Sequence, residues 1–353
     1  MSKSQILRPL KITIPLLAVA IVLVIVAVVL RFSIVPGMKQ LPDDVDTARY
    51  YEGTLNSMLN AEALATMDLA NLFLKDVDVD IFRHYTVEKT DGSKALVREL
   101  IYVTSSETDE LIQSTDKWYA VDRKTLECIP QKSIPEDFRG DYEIVNCSGL
   151  VFAFPIDGEK KDHPRWVSDF QKTAEVVYVG EEEHGGIDTC VFKSVIPAGE
   201  IVDPDLLGEL PAAIPKDMFT MLTQMVDIPE EQQGALEAIM PTLPDPVPIE
   251  YTFEYRATYW VEQETGINVD VEKAERRKAA LDVQGQLIPL LSVFDIEYET
   301  TAASIEDAAD DADDLKDRIK FWETSLPGAF MAIGAVLVMF VLIIVFLKRR
   351  QAE

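Results

Sequence analysis

The sequence predicts an α+β protein, in which a mainly antiparallel β ectodomain with a small inserted pair of helices is tethered by N- and C-terminal transmembrane helices. Two long apolar runs, one near each end of the 353 residues, predict the transmembrane helices. Alternation of apolar and polar residues between the two runs predicts β-strands. Short glycine turns separate several of these strands, and strands joined in this way pair antiparallel.

The two apolar runs are long enough to cross a membrane. Residues 12–30 and 328–347 contain no charged side chain. A bilayer core about 30 Å thick is spanned by about 20 helical residues, whose backbone groups bond to one another. The first run exceeds the apolar stretch of a signal peptide, and no small-x-small cleavage site follows it. We therefore expect transmembrane helices at 12–32 and 327–347, the first of them an uncleaved anchor.

The positive residues beside the two runs predict the orientation of the chain. They lie in the tails 1–11 and 348–353: Lys3, Arg8, Lys11, Lys348, Arg349 and Arg350. Acidic residues dominate the inner flanks, and the side richer in Lys and Arg faces the cytoplasm. We expect both termini in the cytoplasm and the intervening residues outside the cell membrane.

The charge of the chain narrows the choice of partners. The formal net charge is −28, from 61 acidic and 33 basic residues. Such a surface repels nucleic acid and anionic headgroups, so we expect no nucleic-acid partner. Because 48% of the residues are apolar, the ectodomain is expected to fold and not to remain disordered.

Residues 36–300 are expected to form the β ectodomain. In "DVDVDIF", Asp76, Asp78 and Asp80 fall on one face of a strand and Val77, Val79 and Ile81 on the other. In "YTFEYRATYWV", the apolar face is formed by Tyr251, Phe253, Tyr255, Ala257 and Tyr259. Further strands are expected near 81–90, 95–104, 117–122, 174–180, 187–196, 267–273 and 293–300.

Two stretches of the ectodomain share one pattern. "YAVDRKTLECI" from Tyr119 and "YWVEQETGINV" from Tyr259 both read Tyr-x-Val-acid-x-x-Thr. Each predicts a strand that runs into a turn opened by the acidic residue. Duplication of a β-layer and the independent use of a common turn both explain this pattern.

Helices are expected at two places outside the apolar runs. The first is the inserted pair at about 215–240, whose apolar residues form stripes: Met218, Met221, Leu222 and Met225, then Leu236, Ile239 and Met240. Packing in the core is the expected role, and a soft surface for an apolar ligand or partner is the alternative. The second is a juxtamembrane amphipathic helix at 302–325, with its own apolar stripe: Ile305, Ala308, Ala312, Leu315, Ile319 and Trp322.

Few residues suggest chemistry. Cys128 and Cys147 are candidates for a disulfide, and free buried thiols are the alternative. Asn146 begins an Asn-x-Ser pattern and is a candidate glycosylation site. We find no nucleophile motif, no glycine-rich phosphate loop and no zinc-ligand spacing, so no catalytic, cofactor-binding or metal-binding residue is predicted and no enzyme activity is expected. "GEKKDHPRW" at 158–166, the most basic short stretch of the ectodomain, is expected to be an exposed loop.

The two terminal spans occur together with "WYAVDRKTLE", "YWVEQETGINVDVEKAERR" and a long middle block that begins "GLVFAFPIDGEKKDHPRW" and ends "HGGIDTCVFKSVIPA". In these features the chain resembles a family of two-span, membrane-anchored surface proteins of unknown function, sometimes called PorA-type porins. The resemblance covers nearly the whole chain and implies no catalytic residues. In layout alone, the chain also resembles two-span lipid receptors whose ectodomain is a β-barrel with a helical cap.

Three hypotheses of function follow. The leading one is a non-enzymatic cell-envelope protein whose large acidic ectodomain binds a surface partner or an apolar ligand such as a lipid. The second is a subunit of an oligomeric, porin-like channel, which would require a homo-oligomer. The third is an extracytoplasmic hydrolase. A continuous apolar tunnel inside the ectodomain would favour lipid handling, and a filled core would favour a structural or adhesive role.

Overall fold

The computed structural model describes residues 3–66, 68–140, 142–225, 230–283 and 285–350. The chain forms two compact units, which are considered separately below. One consists of Met1–Gln40 and Asp311–Glu353, and the other is Leu41–Asp310. The second unit contains every β-strand of the described residues.

The helices and strands are numbered in chain order. The helices are α1 (Lys3–Val29), α2 (Val35–Met38), α3 (Ala61–Thr66), α4 (Pro204–Glu209), α5 (Lys216–Met225), α6 (Glu230–Ile239), α7 (Ala302–Lys320) and α8 (Leu326–Arg350). The strands are β1 (Asp46–Leu59), β2 (Phe73–Asp91), β3 (Lys94–Ser105), β4 (Leu111–Asp122), β5 (His163–Val167), β6 (Lys172–His184), β7 (Ile187–Glu200), β8 (Ala213–Ile214), β9 (Val247–Pro248), β10 (Glu250–Val261), β11 (Asn268–Val283) and β12 (Gln286–Thr300).

The first unit is built on the two apolar helices. Helical segments at Ile12–Met38 and Ala302–Leu347 are long and apolar enough to cross a membrane. Helices α1 and α8 pack together, and a Cβ added to Gly334 would lie 3.4 Å from the carbonyl oxygen of Ala20. Glycine permits this close approach of two backbones, as it does between helices in membranes. Most other side chains of these helices are exposed, as lipid-facing side chains would be in a membrane protein.

The second unit is a ten-stranded antiparallel sheet that curls into a half-barrel. The strand order is β4-β3-β2-β1-β12-β11-β10-β7-β6-β5, so the two outermost strands are β4 and β5. An irregular segment bridges these two edges: Val121 of β4 pairs with Cys128, Glu127 with Leu150, and Leu150 with Arg165 of β5. The curl of the sheet therefore surrounds one concave face.

The predicted fold class is confirmed, and the alternation of residues explains the concave face. Tyr251, Phe253, Tyr255, Ala257 and Tyr259 of β10 are all buried, as their spacing predicts. In β2, Val79 and Ile81 are buried, whereas Asp76, Asp78 and Asp80 are exposed. The described strands extend beyond most of the expected ranges, because pairing with two neighbours continues into residues whose own alternation is weak.

The inserted helices α5 and α6 lie between the short strands β8 and β9. Met218, Phe219 and Leu222 of α5 are buried, whereas Met221 is 37% exposed. In α6, Leu236 is buried and Ile239 is half-buried. The side chain of Met225 lies outside the described residues. Within the predicted stripe on α5, Met218 and Leu222 therefore pack in the core, whereas Met221 is exposed.

Helix α7 begins against the half-barrel. The hydroxyl of Ser304 accepts a hydrogen bond from the backbone N–H of Tyr50 at 2.9 Å, and the N–H of Thr301 donates to the Tyr50 carbonyl. Along the predicted apolar stripe, Ala308, Ala312 and Ile319 are buried. The charged residues between them are exposed, apart from the half-buried Lys316, as the amphipathic pattern predicts.

The two stretches with a shared pattern form equivalent turns. Asp122 accepts hydrogen bonds through its carboxylate from the N–H groups of Lys124 and Thr125. Glu262 accepts through one carboxylate oxygen from both the N–H and the hydroxyl of Thr265. In both turns an acidic side chain therefore fixes the backbone two or three residues later. Duplication and independent use of the same turn both remain explanations.

Candidate functional site

A cavity of about 230 Å³ lies on the concave face of the half-barrel, and residues from all ten strands of the large sheet line it. We call it the charged cavity. Its cationic lining residues are Arg83, Lys117, Arg165, Lys273 and Arg277. Its acidic lining residues are Glu99, Asp169 and Glu275. Inside a protein of net charge −28, this space carries two more positive side chains than negative ones.

Strand alternation places these charges inside. In β11, the cavity is lined by Lys273, Glu275 and Arg277, which alternate along the strand. Arg276, between the last two, instead forms ion pairs with Glu254, Asp295 and Glu297. The sequence "EKAERRKA" thus sends one set of charges to the cavity and another to the opposite face.

Two of the buried cations have close acidic partners. Arg277 donates two hydrogen bonds to the carboxylate of Asp169, at 2.6 and 3.1 Å. Arg83 Nε lies 3.2 Å from Glu99 Oε1. Glu99 also accepts hydrogen bonds from the hydroxyls of Tyr85, at 2.9 Å, and Tyr119, at 3.2 Å. These contacts compensate the charges of Arg83 and Arg277.

Glu99 stays ionised in this environment. Burial alone would raise the pKa of its carboxyl group. The charge of Arg83, the hydrogen bond from Tyr85 and the more distant charges of Lys273 and Arg165 outweigh burial, so the pKa is lowered. Burial raises the pKa of Tyr119, and the negative charge of Glu99 raises it further, which keeps this hydroxyl protonated as a donor.

Arg165 and Lys273 form no ion pair with an acidic side chain among the described residues. Arg165 is 8% exposed, and its Nη2 donates to the backbone carbonyl of Val151 at 2.6 Å. The Arg165 guanidinium also lies over the ring of Tyr259, 4.9 Å from its centroid. Lys273 is 8% exposed, with its ammonium 5.7 Å from the ring centroid of Tyr255. Ring faces attract cations but provide no lone-pair acceptor.

The pKa values around these two cations reflect their burial. The pKa of Lys273 is lowered by burial first, and the charges of Arg83 and Arg165 add to that effect, whereas Tyr259 and the carboxylate of Glu275 only partly oppose it. The pKa of Tyr259 is raised by burial, but the charges of Arg165 and Lys273 outweigh burial and lower it. The hydroxyls of Tyr255 and Tyr259 are hydrogen-bonded to each other. A negative group placed here would therefore meet a positive environment.

We predicted that residues 158–166 form an exposed loop, and the buried position of Arg165 shows that this prediction holds for only part of the stretch. Lys160 and Lys161 are exposed, but His163–Val167 is a strand in which His163 and Arg165 are buried. The prediction was wrong because the alternation of His163, Arg165 and Val167 spans only five residues and follows a run of charges. That short alternation is the signal that could have identified Arg165.

The charged cavity has an open side between the two edge strands. The bridging segment meets β4 at Trp118 and Val121 and meets β5 at Arg165. In the described residues, no strand pairs with the outer edge of β4 from 111 to 117. Half-buried residues line the cavity on both sides of this gap: Gln113, Thr115, Lys117, Trp166, Val167 and Ser168.

A second, smaller space lies at the other end of the concave face. It measures about 40 Å³ and is lined almost wholly by apolar side chains, including Phe219 and Leu222 of α5, Leu290 and Val293. We call it the apolar pocket. Helix α5 covers this end of the sheet, so the strands are packed there as a core.

The candidate disulfide and glycosylation residues, Cys128, Cys147 and Asn146, are not among the residues that line the charged cavity. Cys128 and Cys147 form a disulfide within the bridging segment, and Cys190 is a buried free thiol. Asn146 is exposed, and its glycosylation stays a prediction. Among the described residues, no group of three or more His, Cys, Asp and Glu is arranged to hold a metal ion.

Comparisons with known proteins identify the family. No curated protein matches the chain. Among solved structures, the chain is similar to RV0216, a conserved hypothetical protein from Mycobacterium tuberculosis with a double hotdog fold. The match covers 79% of this chain and 80% of RV0216, with 11% sequence identity and a TM-score of 0.15. A similarity this weak carries no structural argument. A family model described as "Porin PorA" matches residues 12–343, nearly the whole chain, and the protein therefore belongs to the porin PorA family.

Proposed function

We propose that this chain is a non-enzymatic, membrane-anchored binding protein whose half-barrel holds a small ligand in the charged cavity. Family membership and the two apolar helices indicate a porin-like membrane protein. The observation that carries the proposal is the cavity itself, a space of about 230 Å³ that all ten strands of the large sheet surround. Ligand sites in proteins are concave and carry a few convergent polar groups, as this one does.

The lining supports a ligand with a polar group over a purely apolar one. Eight charged side chains line the charged cavity, and burying an apolar molecule against them would leave their charges poorly solvated. The apolar pocket, with about 40 Å³, offers little room for a lipid chain. The interior is thus neither the continuous apolar tunnel expected of a lipid-handling protein nor the filled core expected of a structural or adhesive one.

The same proposal places the half-barrel outside the cell membrane. The positive residues of both tails support cytoplasmic termini. A disulfide between Cys128 and Cys147 is also typical of an oxidising, extracytoplasmic compartment. Protease applied to intact cells should cleave the half-barrel, whereas a label added after Leu347 should stay unreactive until the cells are permeabilised. The reverse result would contradict this placement.

Native mass spectrometry of the full chain, released from mild neutral detergent, tests whether the cavity is occupied. We expect a bound small molecule in the wild type. Ser194 is 2% exposed and lines the cavity, so Ser194→Leu should displace the ligand. Ser114 is exposed on β4, and Ser114→Leu should leave the bound mass unchanged. A wild-type spectrum with no bound mass, also after incubation with cell extract, would contradict the proposal.

An oligomeric channel is the second candidate, and the family description favours it. Two membrane-crossing helices cannot enclose a pore, so ions could pass only between several copies, and the two apolar runs provide no charge to line such a pore. Reconstitution of the full chain into planar bilayers tests this candidate. Stepwise conductance that grows with protein concentration would support the channel hypothesis, and the absence of conductance at high protein concentration would exclude it.

A further inference from the structure

Unpartnered donors concentrate in the charged cavity. Five buried side-chain N or O atoms of the described residues have no hydrogen-bond partner: Arg83 Nε, Arg165 Nη1, Trp166 Nε1, Asn268 Oδ1 and Ser292 Oγ. The first three belong to residues that line the charged cavity, and because Arg83 Nε lies 3.2 Å from Glu99 Oε1 in an ion pair, Arg165 Nη1 and Trp166 Nε1 are the two left without any partner among the described residues. All three are N–H groups, which can only donate. The cavity is therefore short of acceptors.

Burial makes this shortage costly. A buried donor without a partner costs the free energy of desolvation that a hydrogen bond would otherwise offset. A buried cation without a counter-charge costs more. Arg165 combines both features, because it is 8% exposed, its Nη1 has no partner and it has no ion pair with any described residue. Lys273, equally buried, adds a second cation that forms no ion pair with any described residue.

A single kind of group would satisfy these side chains together. An oxyanion offers several lone pairs on two or three oxygens and accepts hydrogen bonds from a guanidinium in paired geometry. Ammonium groups bind the same groups as point charges. The acidic exterior of the protein makes such a group unfavourable elsewhere on the molecule, whereas the cavity has an excess of positive side chains.

We infer that the charged cavity binds the carboxylate or phosphate of a small organic anion, with Arg165 and Lys273 as its principal contacts and Trp166 as a further donor. This inference rests on the proposed function, since it names the chemical class of the ligand for the same cavity. The volume of about 230 Å³ restricts the enclosed part of the ligand to a small group. That group is either a free anion or the headgroup of a lipid whose chains leave through the gap beside β4.

The inference is tested by isothermal titration of the full chain in neutral detergent at constant ionic strength. The probes are butyrate, its neutral isostere butyramide, inorganic phosphate and dihexanoyl phosphatidic acid. We expect butyrate to bind at least tenfold more tightly than butyramide. Binding of phosphate or butyrate identifies a free anion as sufficient, and binding of the phosphatidic acid alone identifies a lipid headgroup. Either result supports an oxyanion site.

Three variants locate the site. Arg165→Gln and Lys273→Met should each weaken the binding of the preferred anion at least tenfold. Arg276→Gln, on the same strand as Lys273, removes a cation that is already paired with three acidic residues, and it should leave the affinity unchanged. If Arg165→Gln fails to fold, the comparison of the three anionic probes with butyramide in the wild type still decides the inference. Equal effects of all three variants would overturn it, because they would indicate general electrostatic attraction.

Failure of this inference can be distinguished from failure of the proposed function. If native mass spectrometry finds a neutral ligand that Ser194→Leu displaces, and none of butyrate, phosphate and the phosphatidic acid binds better than butyramide, the function stands and the anion class is wrong. If no ligand or probe binds, the unpartnered donors are satisfied by water alone, and both proposals are wrong. A polar cavity of this size has room for several ordered water molecules, so this outcome is a genuine alternative.

Discussion

The charged cavity and the apolar pocket occupy the same concave face but differ in packing and in charge. Strand β11 crosses both: Lys273 and Arg277 line the charged cavity, whereas Ala279 and Ala280 line the apolar pocket. At the apolar end, α5 covers the sheet and leaves only about 40 Å³ unfilled. At the charged end, about 230 Å³ stays open, and two buried cations, Arg165 and Lys273, form no ion pair with any described residue.

The contrast assigns stability of the fold mainly to the apolar end and ligand binding to the charged end. Apolar burial is the main favourable contribution to folding, and close packing at one end provides it. Buried charges and unpartnered donors are unfavourable unless something compensates them. A region that keeps them is therefore a better candidate for binding than for stability. The predictions below test this separation, beginning with the largest expected effect.

Truncation in the apolar pocket should produce the largest loss of stability. Phe219 is 4% exposed, so Phe219→Ala should lower the free energy of unfolding by about 4 kcal/mol, through lost burial and an enlarged cavity. Met221→Ala, on the exposed side of the same helix, should cost less than about 1 kcal/mol. Denaturant unfolding in detergent measures both. Similar costs for the two variants would show that α5 does not pack as a core helix.

Removing the acidic partner of Arg277 should have the next largest effect. Asp169→Asn leaves a largely buried guanidinium without its counter-charge, and the expected loss is about 3 kcal/mol. Glu297→Gln on the opposite face is the control, because Glu297 is 49% exposed and pairs with Arg276, and it should cost at most about 1 kcal/mol. A cost for Asp169→Asn no larger than the control would mean that water solvates Arg277 inside the cavity.

The disulfide should matter somewhat less. Cys128 and Cys147 are separated by 19 residues, and opening a loop of this size by the double change to Ser should cost about 2 to 3 kcal/mol. Wild-type protein in a reducing agent should lose the same amount, and the double variant should not respond to the reductant. Loss of ligand binding without loss of stability would instead assign the bridging segment to the entrance of the cavity.

The smallest expected effect is a change in the pH dependence of stability. The lowered pKa of Glu99 means that its contribution is present above the ordinary carboxyl pKa and is lost as the pH falls through the lowered value. Glu99→Gln should therefore reduce the slope of the unfolding free energy against pH at acid pH. The reduction should correspond to less than one proton taken up on unfolding. High salt should weaken the contribution of the exposed pair Asp116–Arg98 but not that of Glu99. A salt-sensitive Glu99 effect would contradict its burial.

Much of the fold could be predicted from the sequence, because alternation and apolar runs are local signals. The confirmed apolar face of β10 and the terminal helices needed only such signals. The strand Asp46–Leu59 was missed because its apolar positions alternate weakly and are mostly half-buried, and its place is set by pairing with distant residues. The closure of the sheet through 127–150 depends on contacts that no local pattern encodes.

The candidate site was harder to predict, for a physical reason. Charged residues at alternate positions usually mark a solvated face, so Lys273 and Arg277 offered no sign of being inside. Arg165 was hidden in a short strand after a basic loop. Their burial follows from the curl of the sheet, which brings β5 and β11 around one space. Only the three-dimensional arrangement shows which side of each strand is enclosed.

The most direct test is a crystal structure of the full chain grown with selenate, whose selenium atom can be located by anomalous scattering. The account predicts an anomalous peak inside the half-barrel, within hydrogen-bond distance of Arg165 Nη1 and near the Lys273 ammonium, that is absent in crystals of Arg165→Gln. A cavity that contains only water in selenate-grown crystals, or a peak confined to the outer surface, would contradict it.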